Sequence, residues 1–377
     1  MIVLLQLLRR VIANFDGRKF ATRIGRWQQW EFWPAWMFYP PVAIYCLWLA
    51  VKHRGLTAPT AANPGIFSGG LVGESKTAML QELFATSPEF TAEAELIAGR
   101  ETEAGKSKNI FLSPNFCRES EPGIFAEPFI LKPDLGQRGV GIKLIRTRAQ
   151  AEDYFRQTDA PLIAQRYAPG PHEVGVFYYR FPHEPRGRIF AITEKIFPKL
   201  VGDGKNSVAE LIQRDPRARF VAGTYLKRFH ARRDEVLALG EELKLVEAGN
   251  HAQGCIFRDG MHLNSPELEA QLDDISQKLT GFYIGRYDIR YASESDLRAG
   301  KNFQIIELNG AASEATSIYD ARNSLWAAYR TLFRQWDLVF AIGAANRRRG
   351  AVTTSVVQVW RAWRNYLALA ATYPNAD

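Results

Sequence analysis

Gly285-Arg-Tyr-Asp288-Ile-Arg290 and, beyond a polar turn, Phe303-Gln-Ile-Ile-Glu307-Leu-Asn309-Gly310 are the two stretches that organise the rest of the chain. Each reads as a β-strand, because apolar and polar residues alternate along it. Residues two apart on a strand project to one side, so Glu307 and Asn309 point together. With Asp288 on the neighbouring strand, three oxygen ligands converge. That donor set suits magnesium, which takes one or two carboxylates and completes its shell with water and substrate phosphates. Arg286, two residues before Asp288, shares its face and could steady an anionic intermediate. The plain alternative for any single acidic pair is a solvated hairpin face.

Moving upstream, Pro128-Phe-Ile-Leu-Lys132-Pro133 reads as a short buried strand ended by proline. It runs into a glycine-rich turn with Gly136, Arg138, Gly139 and Gly141, then into a second strand, Ile142–Ile145. Glycines let backbone N–H groups approach a phosphate closely. No GK[ST] follows and no helix is expected next, so the turn reads as a hairpin flap rather than a Walker loop. A tight structural hairpin is its bland alternative, and Lys132 beside it favours the phosphate reading. Further elements are expected as follows: a strand with loops over 55–73, a helix from about Glu74, a helix over Ala149–Gln157, and strands at Leu162–Tyr167, Val174–Arg180 and Ile189–Ile196. Helices follow at Ser207–Gln213 and Ser265–Leu279, with more beyond residue 320, broken at Arg347–Gly350. This is a mixed α+β body.

The chain has 377 residues and a net charge of +8. The excess is local. Residues 1–54 and 321–377 each carry +6, and the stretch between them is −4. All nine Trp lie in the two ends. A uniformly basic nucleic-acid binder is therefore disfavoured. Cys46, Cys117 and Cys255 are isolated, which argues against a disulfide scaffold or a zinc cluster and for a reducing compartment. The opening residues lack the charge order of a secretory signal and read as a short amphipathic helix. Phe32–Val51 has no charge but is interrupted by Pro34, Pro40 and Pro41; a core helix over Val42–His53, an interfacial segment and a span all stay open. Val352, Val356, Val359, Trp360, Trp363 and Leu367 recur at helical spacing beside arginines, which fits either an interfacial helix or one packed on the body or a partner subunit. The six histidines show no metal-ligand spacing. The basic run Lys227–Arg233 reads as a solvated helix face or as a lid for phosphates.

In order and spacing, residues 56–335 resemble the ATP-grasp superfamily, and in motif the D-alanine–D-alanine ligases and cyanophycin-synthetase-like ligases. Gly73-Glu-Ser-Lys76 resembles the element with the first ATP lysine. Phe129-Ile-Leu-Lys132 with the glycine turn resembles the second lysine and phosphate flap. Gln165-Arg-Tyr-Ala168 through Glu173 resembles the adenine hinge and ribose-binding acid, with Gln165 where many relatives have Glu. Lys195 stands where relatives often place a phosphate-facing lysine, before a segment, Val201–Ile212, similar to one in cyanophycin synthetases. The resemblance implies an ATP-grasp fold in which two α/β subdomains clasp ATP. It implies that Lys76, Lys132 and Lys195 contact phosphates, that Gly136, Arg138, Gly139 and Gly141 form the flap, and that Gln165, Ala168 and Glu173 hold adenosine. Asp288, Glu307 and Asn309 would hold Mg2+, with Mn2+ as a substitute, and Arg286 and Lys195 would serve catalysis. After Asn309 the chain reads Gly-Ala-Ala-Ser313-Glu314-Ala-Thr, without the Pro-Gly segment that shapes the D-alanine pocket.

The expected organisation is a basic aromatic segment over 1–54, a reduced N-terminal and linker region over 55–125, an ATP-grasp domain over 126–335 and a basic helical tail over 336–377. The expected function is an ATP- and Mg-dependent ligase joining a small-molecule carboxylate to an amine, cytoplasmic, either free or peripheral on the inner face of an anionic membrane. No nucleic-acid partner is expected, and a homo-oligomer stays open. The alternatives are a non-catalytic ATP-binding scaffold and an ATP-grasp kinase.

Overall fold

A computed structural model describes residues 29–97, 128–136, 139–168, 170–247 and 249–374. Arg138, Cys117 and the opening helix expected from the first residues lie outside them. The elements run in the order α1 (Ala35–Phe38), α2 (Pro40–Lys52), α3 (Lys76–Thr86), β1 (Ala94–Ile97), β2 (Phe129–Pro133), β3 (Lys143–Ile145), α4 (Arg148–Gln157), β4 (Leu162–Arg166), β5 (His172–Tyr179) and β6 (Arg188–Ile196). They continue as β7 (Lys199–Val201), α5 (Val208–Arg214), α6 (Ala222–Arg228), β8 (Glu242–Lys244), β9 (Ile256–Asp259), α7 (Pro266–Lys278), β10 (Ile284–Tyr291), α8 (Glu294–Arg298), β11 (Phe303–Asn309), α9 (Leu325–Arg348) and α10 (Val356–Ala370).

Two expectations change. The segment 55–73 holds no strand; it folds as 3₁₀ turns at Ala58–Ala61 and Phe67–Gly70. Ser68, Gly69 and Gly70 all have positive φ, which an extended strand cannot take. The connection between β10 and β11 is not only a polar turn, since it winds into α8 with Ser293 capping Asp296.

The chain divides into two compact units. The smaller combines the residues up to Pro41 with Lys199–Leu245. Its core gathers Leu200, Val208, Ile212, Tyr225 and Leu237 beside the two-stranded antiparallel sheet of β7 and β8. Arg217 holds the buried Glu31 carboxylate with two parallel bonds of 2.8 and 2.9 Å. Arg228 and Arg232 of the basic run are engaged locally, on the Leu245 carbonyl and the Glu235 carboxylate.

The larger unit, Val42–Pro198 with Val246–Asp377, contains two antiparallel sheets. One has the strand order β1-β4-β2-β3, the other β11-β10-β5-β6-β9. This mixture of helices and two antiparallel sheets is the α+β class expected from the sequence. In the five-stranded sheet the alternation is decisive. Val174, Val176, Tyr287, Ile289 and Ile305 face one way and pack on Leu268, Leu272 and Ile275 of α7. On the opposite face Phe177, Ala191 and Ile284 pack on Val339 and Ile342 of α9. The rest of that second face carries charge.

Candidate active site

The register of β5, β6, β10 and β11 assembles the site. Asp288 stands opposite Glu307 on β11 and Gly175 on β5, and Arg286 stands opposite Asn309. Glu173 stands opposite Lys195 on β6 and Arg290 on β10. After Asp288 the register with β11 shifts by one residue, a bulge, and pairing resumes at Ile289. Bulges re-aim side chains and are frequent beside active sites. Gly175 sits under the cluster, where an added Cβ would come within 3.1 Å of Arg286 and 3.2 Å of Asp288. A side chain at this position would press on both.

Three lysines reach this face. Lys195 Nζ lies 2.8 Å from Glu173 Oε1 and 2.9 Å from Asp288 Oδ2. Lys76 Nζ lies 3.0 Å from Glu307 Oε1 and also donates to the carbonyl of Gly136 in the glycine turn. Lys132 Nζ donates to Gln165 Oε1 at 2.8 Å and to the Ile306 carbonyl at 3.1 Å. Arg286 Nε adds a bond of 2.9 Å to Asp288 Oδ1, and its Nη1 donates to the Glu314 carbonyl. Lys76, Lys132, Lys195, Glu173 and Asp288 are all buried.

Such crowding shows in the proton affinities. Burial pulls the Lys132 ammonium down to about 8, against the attraction of Glu307. For Lys195 burial acts in the same direction, but Asp288 and Glu173 outweigh it and the ammonium is held more firmly than usual. Burial would raise Asp288; Arg286 and Lys195 win, and the carboxylate stays well below its ordinary range. Burial pushes Glu74 up to about 7, opposed by Lys76. A dense buried set of opposed charges costs desolvation that apolar packing would avoid, and such sets concentrate where chemistry needs them.

The structure gathers most of the residues singled out in the sequence. Lys76, Lys132, Lys195, Arg286, Asp288, Glu307 and Asn309 meet on one face, and Gly136 joins through Lys76. Gly139 and Gly141 take the positive φ that the turn requires. Gln165 is fully used within the protein: its amide donates to the carbonyls of Ile306 and Ala92 while its oxygen accepts from Lys132. It joins the two sheets. Both oxygens of Glu173 are engaged, by Lys195 and by Arg290. The Ala168 carbonyl accepts from Arg290. Ser313 and Glu314 lie beside the site, Ser313 Oγ donating to the Gly310 carbonyl and Tyr319 donating to Glu314.

Two residues in the site had no role in the sequence reading. Asp134 Oδ1 accepts from Ser75 Oγ, Thr77 N and Thr77 Oγ1 at 3.0, 2.8 and 2.8 Å, pinning the start of α3, and so Lys76, beside the glycine turn. Glu74 accepts from the Gly310 amide at 3.2 Å and adjoins Lys76 and Arg286 electrostatically. Glu74 was visible in the Gly-Glu-Ser-Lys motif, but its neighbours Gly310 and Arg286 are more than 200 residues away in sequence.

The donor set fits magnesium. Asp288 and Glu307 face one another across two strands, and Asn309 extends the row. Asn309 Nδ2 is buried without a hydrogen-bond partner, and turning the amide over would present its oxygen there instead. Two carboxylates and an amide are the kind of partial shell that substrate phosphates complete. Among the described residues no group of three His, Cys, Asp or Glu has the geometry of a metal site.

No family model matches the chain, and no curated protein sequence matches it. Among solved structures it is similar to a bifunctional glutathione synthetase from Pasteurella multocida, at 16% identity and a TM-score of 0.34, over 68% of this chain and 36% of that one. It therefore spans about a third of that enzyme's length. It is also similar to a D-alanine–D-alanine ligase from Bacillus anthracis complexed with ATP, at 10% identity and a TM-score of 0.37, over 78% of this chain and 70% of that one. A third likeness is the VanG D-Ala:D-Ser ligase from Enterococcus faecalis, at 11% identity and a TM-score of 0.36, over 73% and 62% of the two chains. At these TM-scores the superpositions carry no weight for function.

Proposed function

We propose that this chain is an ATP-dependent ligase of the ATP-grasp type, which activates a carboxylate as an acyl phosphate and joins it to an amine. The observation that carries this reading is the meeting of Lys76, Lys132 and Lys195 with Asp288 and Glu307 on one buried face. Both sheets contribute to it, Lys132 from the four-stranded sheet and the acids from the five-stranded one. Three cations brought to a pair of carboxylates suit a polyphosphate better than any neutral ligand.

Asp288, Glu307 and Asn309 would hold Mg2+ or Mn2+, whose charge would offset that of the transferred phosphoryl group. Lys76 and Lys195, paired with Glu307 and Asp288, would bind phosphate oxygens. Lys132 adds a third cation, kept in place by Gln165. The glycine turn, linked to Lys76 through the Gly136 carbonyl, supplies backbone N–H groups. Attack of the substrate carboxylate on the γ-phosphate releases ADP and leaves an acyl phosphate. The amine then attacks the acyl carbon, expels inorganic phosphate and loses its proton. Arg286 is held by Asp288 at the edge of the cluster, and its remaining N–H groups can bind the oxyanion of that tetrahedral intermediate. Glu74, beside Lys76 and Arg286, is placed to hold an ammonium acceptor.

Phosphate and ADP release, screened with paired carboxylates and amines, tests the proposal. Glu307→Gln should cut turnover by about 100-fold or more while leaving the fold intact. ATP binding with no turnover across a broad panel, or full activity in the variant, would overturn it.

A further inference from the structure

We propose that the outer faces of α2 and α10 form a docking surface for an anionic lipid bilayer. This inference stands independently of the reaction assigned above.

The first observation is a pair of exposed apolar stripes. On α2, Ile44, Leu47, Trp48 and Val51 follow the i, i+3, i+4, i+7 spacing of one helix face, and all are exposed, Trp48 by 52%. On α10, Val356, Trp360, Trp363 and Leu367 form a similar stripe, with Trp360 and Trp363 exposed by 54% and 44%. An apolar residue exposed singly is ordinary; two ordered stripes are not.

The second is that α10 is fixed with this stripe outward. Thr354 N donates to Thr60 Oγ1 just before its start, and Tyr373 donates to the Leu135 carbonyl just after its end. Midway, Ala362 packs against Gly73, where an added Cβ would come within 3.3 Å of it. Ala362 lies about a third of a turn from the Trp360–Trp363 stripe, at 100° per residue. The body therefore covers one part of the apolar arc and leaves the rest open.

The third is that both helices are tied to the same stretch of chain, residues 54–60. The ends of α2 and α9 are joined where Arg347 contacts Gly55 and donates to the Arg54 carbonyl. Thr60, which holds the start of α10, follows a few residues later. Leu56, four residues after α2, and Val352, four residues before α10, are exposed apolar residues as well.

Charge selects the occupant. Residues 42–56 and 347–374 together carry seven Lys/Arg and no Asp or Glu, and of the seven Lys52 is paired with Asp337 of α9 at 3.5 Å. Arg364 lies over the Trp360 ring at 5.0 Å, so cation and aromatic share one edge of the stripe. Trp at the border of an apolar face with arginines beside it suits the headgroup region, where indole rings and cations both prefer to lie. A neutral apolar partner would leave these arginines without counter-charges. Among the described residues no helix is long and apolar enough to cross a membrane, so the contact is with the bilayer surface.

Flotation of the full-length protein with vesicles tests this. Vesicles of phosphatidylcholine mixed with phosphatidylglycerol should carry the protein up the gradient, and pure phosphatidylcholine should carry far less. Trp360→Ser with Trp363→Ser should weaken binding to the mixed vesicles by about tenfold or more. Arg361→Gln with Arg364→Gln should remove most of the preference for phosphatidylglycerol. All four positions are exposed, and an unchanged thermal unfolding curve confirms that the variants fold. Absence of flotation, or flotation unaffected by these substitutions, overturns the proposal. So does a dimer in lipid-free solution that the tryptophan variant dissolves, because that result gives the face to a second copy of the chain.

Discussion

Lys195 is the residue on which most of the site depends. It bridges Glu173 and Asp288 from a buried position, and each acid has one further cation, Arg290 or Arg286. Replacing it with Met keeps the volume but leaves two buried carboxylates short of charge. Lys195→Met should therefore cost about 3–5 kcal/mol of stability, read from urea unfolding, in addition to losing turnover. A variant as stable as the parent would mean that water reaches the cluster freely. Asp320 makes a separate prediction. It accepts from the Asp259 amide and from Arg322, and these bonds, with Arg322 foremost, hold its carboxyl well below the usual range. Because the folded state binds its proton less readily, Asp320 contributes stability that is fully present above its unfolded pKa of about 4 and is lost as pH falls below that value. Asp320→Asn should flatten the acid limb of a stability-versus-pH curve; an unchanged limb would contradict the pairing.

At the scale of elements, the five-stranded sheet holds the acids in line and α7 holds the sheet. Leu272 is fully buried at the centre of that contact. Leu272→Ala should cost about 2–5 kcal/mol, measured by chemical unfolding, through lost transfer energy and the cavity left behind. Close approach matters as much at the loop after β11. Gly310 passes Gly70 so closely that an added Cβ would come within 2.6 Å of the opposing backbone. Gly310→Ala should therefore separate the 3₁₀ turn from the end of β11 and lower the turnover proposed above more than global stability. The hairpin of Asp288 and Glu307 was legible from alternation alone, because strand period fixes which residues share a face. The glycine turn was legible too, since positive φ narrows the choice of residue. The turns of 58–70 were not: small residues there suggested extended chain, and only the packing of Gly70 on Gly310 reveals their purpose. Nor could alternation show that Gln165 would join two sheets, because its partner Ile306 lies on a strand of the other sheet, 141 residues away.

Over the whole molecule, charge is used in two ways. Within the stretch of −4 between the ends, the candidate site holds Lys76, Lys132 and Lys195 buried and paired, whereas Arg361 and Arg364 near the C-terminal end are exposed beside an apolar stripe. Salt should separate the two. Raising ionic strength from about 0.05 to 0.5 M shortens the screening length severalfold and should release the protein from anionic vesicles. Nucleotide affinity, which depends on buried partners, should fall much less; an equal loss of both would place the phosphate site in open solvent. The most direct measurement of the central claim follows oxygen. With a carboxylate substrate labelled with 18O on both oxygens, activation as an acyl phosphate must transfer one label to the inorganic phosphate released when the amine attacks. Mass spectrometry of that phosphate should show one 18O per turnover. Phosphate without label, at a normal rate of product formation, would contradict carboxylate activation by phosphoryl transfer.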